Sequence, residues 1–209
     1  MPNRLIRHNL RHEAQYLLGV ESQIADAETP EVRKELTERI RTIANRLSET
    51  HDTLRRSQEL IRSGDRSTGP LDLREAVEDV VREYRSMYPD AAITVEVPEA
   101  YRVSAGSEFR TVLEELLENA IVCADGEPDV WVSGAKSGRR IKLEVTDNCP
   151  GIPEPDRSVV TRKVETDQMP HAQGLGLWFV RWAIDPYGRV FGLDTGDDGT
   201  TVRLELASS

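Results

Sequence analysis

With 209 residues, 38% hydrophobic and 31% charged, the chain can form one large domain or two small ones with buried cores. A formal net charge of −10 argues against nucleic acid as a direct partner, because phosphates are repelled over most of the surface. No stretch reaches the ~18–20 continuous apolar residues of a membrane span, and Met1–Arg7 lacks the apolar core of a secretory signal. A cytoplasmic protein with no membrane segment is therefore expected. Of the 27 basic residues only Lys34, Lys136, Lys142 and Lys163 are lysines. An acidic, arginine-rich surface suits a high-salt interior, or reflects a GC-rich genome; composition leaves both open. Cys123 and Cys149 have neither a disulfide framework nor metal-ligand spacing, so reduced thiols are expected.

In chain order, residues 3–27 predict a helix with Leu10, Ala14, Leu17, Val20 and Ile24 along one stripe. Thr29 is placed as the N-cap of a second helix and Pro30 at its first position. In that helix Leu36, Ile40, Ile43, Leu47, Leu54 and Ile61 fall close to a heptad. Two antiparallel helices with one narrow stripe each cannot close a core alone. A homodimer joined through a four-helix bundle is the expectation. Ser63–Pro70 has the composition of a linker.

Beyond the linker, Leu71–Tyr88 predicts a helix and Ala92–Val97 a half-buried strand. Ser107–Cys123 predicts a second helix, and Val130–Ala135 with Ile141–Thr146 a hairpin about Lys136–Arg139. Residues 153–173 show no periodicity and suit a lid. Leu175–Asp185 reads as a helix. Val190–Leu193 and Thr201–Leu206 read as closing strands about the turn Asp197-Asp198-Gly199. The fold class is α+β: a helical hairpin over residues 1–64 forming a dimeric four-helix bundle, then a two-layer α/β sandwich over 65–209.

Three fragments of the second part carry chemistry. Glu115 and Asn119 lie four apart on one helix, so a carboxylate and a carboxamide share a face and can hold Mg²⁺ through oxygen. Asp147 follows an apolar strand, where its carboxylate can accept from an exocyclic amine such as that of adenine. Gly151 lets the chain turn beside a flat ring. Gly174 and Gly176 precede a helix, where phosphates can approach backbone N–H groups at the positive end of the dipole. Each fragment alone also reads as an ordinary solvent face, turn or loop; their order and separation describe a pocket for ATP.

The three segments resemble the N box and two glycine boxes of the histidine-kinase/gyrase/Hsp90-type ATPase fold, and Gly199-Thr200 resembles its last glycine turn. Arg7-His8-Asn9-Leu10-Arg11 resembles the phosphoacceptor box of sensor histidine kinases, in a form seen in halophilic archaea. The resemblance spans roughly residues 4–206. It implies that His8 accepts the γ-phosphoryl of ATP and that Glu115 polarises the reacting groups. It also implies that Asn119 binds Mg²⁺, that Asp147 reads adenine, and that Gly151, Gly174, Gly176 and Thr200 line the nucleotide site.

An aspartate on a response-regulator receiver domain would then take the phosphoryl group. Because His8 lies so near Met1, either a separate sensor protein delivers the signal or the chain is the catalytic part of something longer. Several positions depart from the family pattern. Cys149 stands where glycine is usual, Ala172-Gln173 precede Gly174, and Val122 and Cys123 replace phosphate-reaching side chains. Asn9 replaces an acidic base, and His12 replaces a residue that commonly supports phosphatase activity. The alternative reading is a dimeric scaffold with little or no catalysis that docks a signalling partner. A serine/threonine kinase of the anti-sigma type is a third.

Overall fold

A computed structural model describes residues 29, 30, 32–34, 36, 37, 40, 41, 68–124, 126–152, 157, 175–185 and 190–209. The helix expected over 3–27, most of the next helix, and nearly all of 153–173 lie outside the described residues. So does the pairing of the hairpin into a bundle. At the start of the second helix Thr29 Oγ1 accepts from Val32 N at 3.3 Å, with Pro30 helical beside it, which is the expected cap.

Among the described residues, seven strands and three helices follow: β1 (Gly69–Asp72), α1 (Leu73–Met87), β2 (Ala92–Glu96), β3 (Arg102–Ala105), α2 (Glu108–Val122), β4 (Asp129–Ser137), β5 (Arg140–Asp147), α3 (Leu175–Ile184), β6 (Val190–Gly196) and β7 (Gly199–Ala207). The main sheet has the order β2-β4-β5-β7-β6. Its β2–β4 pair is parallel and the rest antiparallel.

The sheet sorts its two faces by strict alternation. Ile141, Leu143 and Val145 on β5, Val202, Leu204 and Leu206 on β7, and Val130 and Val132 on β4 are buried in one core with the helices. On the opposite face Glu144 accepts from Arg203 Nε at 2.7 Å and pairs with Lys142 Nζ at 2.9 Å. A sheet with one apolar and one polar face needs a single helical layer. The three helices supply it, as expected for a two-layer sandwich.

α1 buries Leu73, Val77, Val80, Val81 and Tyr84, a stripe at threes and fours. α2 lies centrally, burying Phe109, Val112, Leu113, Leu116, Leu117, Ala120 and Ile121. It packs against both α1 and α3, so most of its circumference is covered.

Three expectations are corrected. Gly69 and Pro70 belong to β1 rather than to a linker, and β1 pairs antiparallel with β3. α1 starts at Leu73 rather than Leu71, because Asp72 caps it by accepting from Glu75 N at 3.2 Å. The cysteines are bridged: Cys123–Cys149 is a disulfide with Cα atoms 5.5 Å apart. Folding packs the end of α2 beside the turn after β5, bringing together two thiols that sequence spacing leaves unrelated.

Candidate nucleotide site

Asp147 continues the inward row of β5 that begins at Ile141, so its carboxylate points to the helical side of the sheet at the edge of the core. Thr200 is its register partner on β7 and ends the inward row of that strand. Asp147 Oδ1 accepts from Thr200 N and from Cys149 N, each at 3.0 Å. Both bonds fall on one oxygen, and no described residue donates to Oδ2. Burial raises the Asp147 carboxyl above its ordinary pKa of 3.8, outweighing the two backbone bonds that pull it down.

A second layer of bonds holds the turn beside it. Thr195 and Thr200 face each other across the β6–β7 hairpin with hydroxyls 3.0 Å apart. Thr195 Oγ1 also accepts from Ile152 N at 2.8 Å. This brings Gly151 so close to β6 that an added Cβ would lie 2.5 Å from Gly196 O. Asn148 secures the other side, accepting from Asp129 N at 3.0 Å and donating to Glu127 O at 3.1 Å. Thr195 and Asn148 escaped the sequence reading. The symmetry of the hairpin about Asp197-Asp198 was the available signal for Thr195, since it sets 195 opposite 200.

Glu115 and Asn119 sit on the face of α2 that meets the first turn of α3. Glu115 is buried, and Asn119 Nδ2 donates to the Glu115 carbonyl at 2.6 Å. A Cβ at Gly176 would lie 2.6 Å from Asn119 Nδ2 and 2.8 Å from Glu115 Oε2. Gly176 therefore allows the N-terminus of α3 to rest directly on the acid–amide pair. This is a cradle that a side chain would fill. Its donor set, a carboxylate and an amide oxygen, fits a hard cation such as Mg²⁺.

The two halves of the site are joined at the end of α2. Cys123 follows that helix and is bridged to Cys149, whose sulfur lies 3.4 Å from Ala120 O. The structure thus brings Glu115, Asn119 and Gly176 together, and Asp147, Gly151 and Thr200 together, with α2 connecting the groups. His8 and Gly174 lie outside the described residues.

Residues 105–209 match the model of the family described as histidine kinase-, DNA gyrase B-, and HSP90-like ATPase. The C4-dicarboxylate transport sensor protein DctB of Rhizobium meliloti is 30% identical over 189 residues, 88% of this chain and 29% of that protein. Sensor protein KdpD of Escherichia coli is 29% identical over 105 residues, 48% of this chain and 12% of that protein. The chain therefore spans less than a third of the length of either relative.

Among solved structures, the Acinetobacter baumannii histidine kinase AdeS superposes with a TM-score of 0.62 at 17% identity, covering 97% of this chain and 98% of that one. Histidine kinase ThkA, solved in complex with response regulator protein TrrA, gives a TM-score of 0.66 at 18% identity, covering 98% and 60%. The mycobacterial sensor histidine kinase MprB gives 0.56 at 23% identity, covering 67% and 98%. These likenesses show the fold. Together with the family match over residues 105–209, they show that the chain belongs to the histidine kinase-, DNA gyrase B-, and HSP90-like ATPases and carries their ATP-binding domain.

Proposed function

We propose that the protein is an ATP-dependent histidine autokinase of a two-component system. The observation that carries this reading is the convergence of Glu115, Asn119 and the open backbone of Gly176 at the start of α3, across the end of α2 from Asp147. Asp147 Oδ2 would accept the amine of adenine while Oδ1 stays pinned by Thr200 N and Cys149 N. Gly151 would leave room for the base. Glu115 and Asn119 would hold Mg²⁺, which when bound supplies charge neutralisation for the phosphates. Gly174 and Gly176 would present the N-terminus of α3 to them.

An unprotonated ring nitrogen of His8 would take the γ-phosphoryl group, with ADP leaving, and an aspartate of a response regulator would receive it next. The heptad of the second helix supports a homodimer, in which His8 is carried on a helical hairpin and swings to the ATP site. Signal input through a separate sensor protein, or through further parts of a longer chain, is compatible with the short span of the relatives covered. The acidic, lysine-poor composition is compatible with a high-salt cytoplasm.

A second reading, a scaffold with weak or no catalysis, is favoured by one observation. Cys149 occupies a usual glycine position, and the bridge joins it to Cys123, where a phosphate-reaching side chain is common. The experiment that separates the readings is incubation with γ-labelled ATP and Mg²⁺ in high salt, using wild type, His8→Gln and Asn119→Ala. Acid-labile label on wild type alone is expected. Acid-stable label would indicate a serine/threonine kinase, and ATP binding without any label would indicate the scaffold.

A further inference from the structure

We propose that Cys123 and Cys149 are a reversible thiol–disulfide switch that sets the affinity of the nucleotide site, an inference that rests on the ATP-binding reading above. The chain contains no other cysteine, so within one chain these two can bridge only to each other. Their positions are what make the bridge regulatory rather than a general staple. Cys123 follows the helix that carries Glu115 and Asn119, four residues beyond Asn119, and its N–H reaches the Asn119 carbonyl. Cys149 follows Asp147 by two residues and donates its N–H to Asp147 Oδ1. One covalent bond thus ties the cation-holding helix to the turn that fixes the adenine-reading carboxylate.

Reduction would remove that tie while leaving the rest of the turn attached. Asn148 would still bond Asp129 N and Glu127 O, and Ile152 N would still reach Thr195. The segment that loses its covalent anchor is Cys149-Pro150, between those two attachments, where only the weak contact of the Cys149 sulfur with Ala120 O would remain. The Cys149 N–H bond to Asp147 then depends on a loop that must order itself on each binding event. Ordering a loop costs affinity that a preorganised site does not lose. The oxidised form is therefore the tighter nucleotide binder.

The chemistry has an accessible starting point. Cys149 is 1% exposed, whereas Cys123 is half-buried in the turn after α2 and can meet a small reagent. The Cys123 thiolate attacks a low-molecular-weight disulfide RSSR, forming a mixed disulfide and releasing RS⁻. The Cys149 thiolate then displaces the second RS⁻ from Cys123. The protons lost by the two cysteines end on the two leaving thiolates, so one RSSR is reduced to two RSH as the pair is oxidised. In a compartment buffered by small thiols the reaction runs in both directions, and nucleotide affinity follows thiol poise.

The test uses the whole chain equilibrated with either oxidised or reduced glutathione, with free thiols counted and MgATP binding measured by calorimetry. The oxidised protein is expected to lose its free thiols and to bind MgATP at least about 5-fold more tightly than the reduced protein, the lower end of usual coupling between sites. Cys123→Ser should bind at the reduced level in both buffers. Because coupling is reciprocal, saturating MgATP should make the bridge harder to reduce by the same factor, which a purely structural bridge would not do.

Equal affinity in both states would overturn the switch and leave the ATP reading intact. Thiols that stay free in oxidised glutathione would also overturn it. Absence of MgATP binding in both states would remove the ATP reading, and the switch with it.

Discussion

Gly199 and Gly176 each let the backbone come close to a residue of the proposed site, and they do so by different physics. Gly199 has φ +144°, and a Cβ there would run into the carbonyl of Asp147. Gly199→Ala therefore suffers backbone strain of about 1–3 kcal/mol and displaces Thr200 N from Asp147. Urea denaturation should show a loss of at least that size. Gly176 presents a conflict of space instead, between its absent Cβ and the polar atoms of Glu115 and Asn119. Gly176→Ala should leave the chain folded and weaken MgATP binding roughly tenfold or more, since small misplacements of positioning groups cost about that much.

Asp147 adds a pH signature. Its folded-state pKa is raised by burial, so the folded protein binds this proton more readily than the unfolded chain does. The ionised carboxylate consequently opposes folding at pH above the raised value, and that penalty disappears as pH falls below 3.8. Asp147→Asn should gain stability relative to wild type as pH rises through that window, read from denaturation midpoints. A gain in the opposite direction would mean that the two backbone bonds dominate.

Among the elements, the central position of α2 explains where stability concentrates. Phe179 on α3 is fully buried and packs against Trp182 with the rings tilted and their centroids 6.1 Å apart. Phe179→Ala should cost about 3–5 kcal/mol in the same assay. The bridge spans a sequence separation of 26, for which chain entropy predicts stabilisation of about 3.5 kcal/mol that reductant should abolish.

Elements with strong periodicity were legible in advance. α1 showed its stripe from Leu73 to Tyr84, and β5 its alternation from Ile141 to Val145. The four-residue strands β1 and β3 were not. They have too few residues to show alternation, and they exist because Leu71 finds Val103 across the ribbon. The disulfide was equally invisible, since nothing in the spacing of Cys123 and Cys149 encodes the packing of a helix end on a turn.

For the molecule as a whole, the sequence order of three boxes sufficed to place the ATP-binding fold. The placement of Glu115 and Asn119 on one helix face and of Asp147 at an inward strand end was legible because both follow local rules; their roles in binding nucleotide are proposals. What brings them near one another is long-range: the contact of Gly176 with α2, the Thr195–Thr200 pair, and the bridge. The proposed dimer and the phosphoacceptor role of His8 rest on the sequence pattern of the first 64 residues. They call for tests on the whole chain rather than on the sheet domain alone.

The central claim is that one nucleotide site is built from α2, the end of β5 and the start of α3. Its most direct test is a calorimetric titration of wild type, Asn119→Ala and Asp147→Asn with MgATP, each first shown to be folded. The account predicts that wild type binds and that each variant loses about tenfold or more in affinity. Wild-type affinity in either variant, or no binding by the folded wild type, would contradict it.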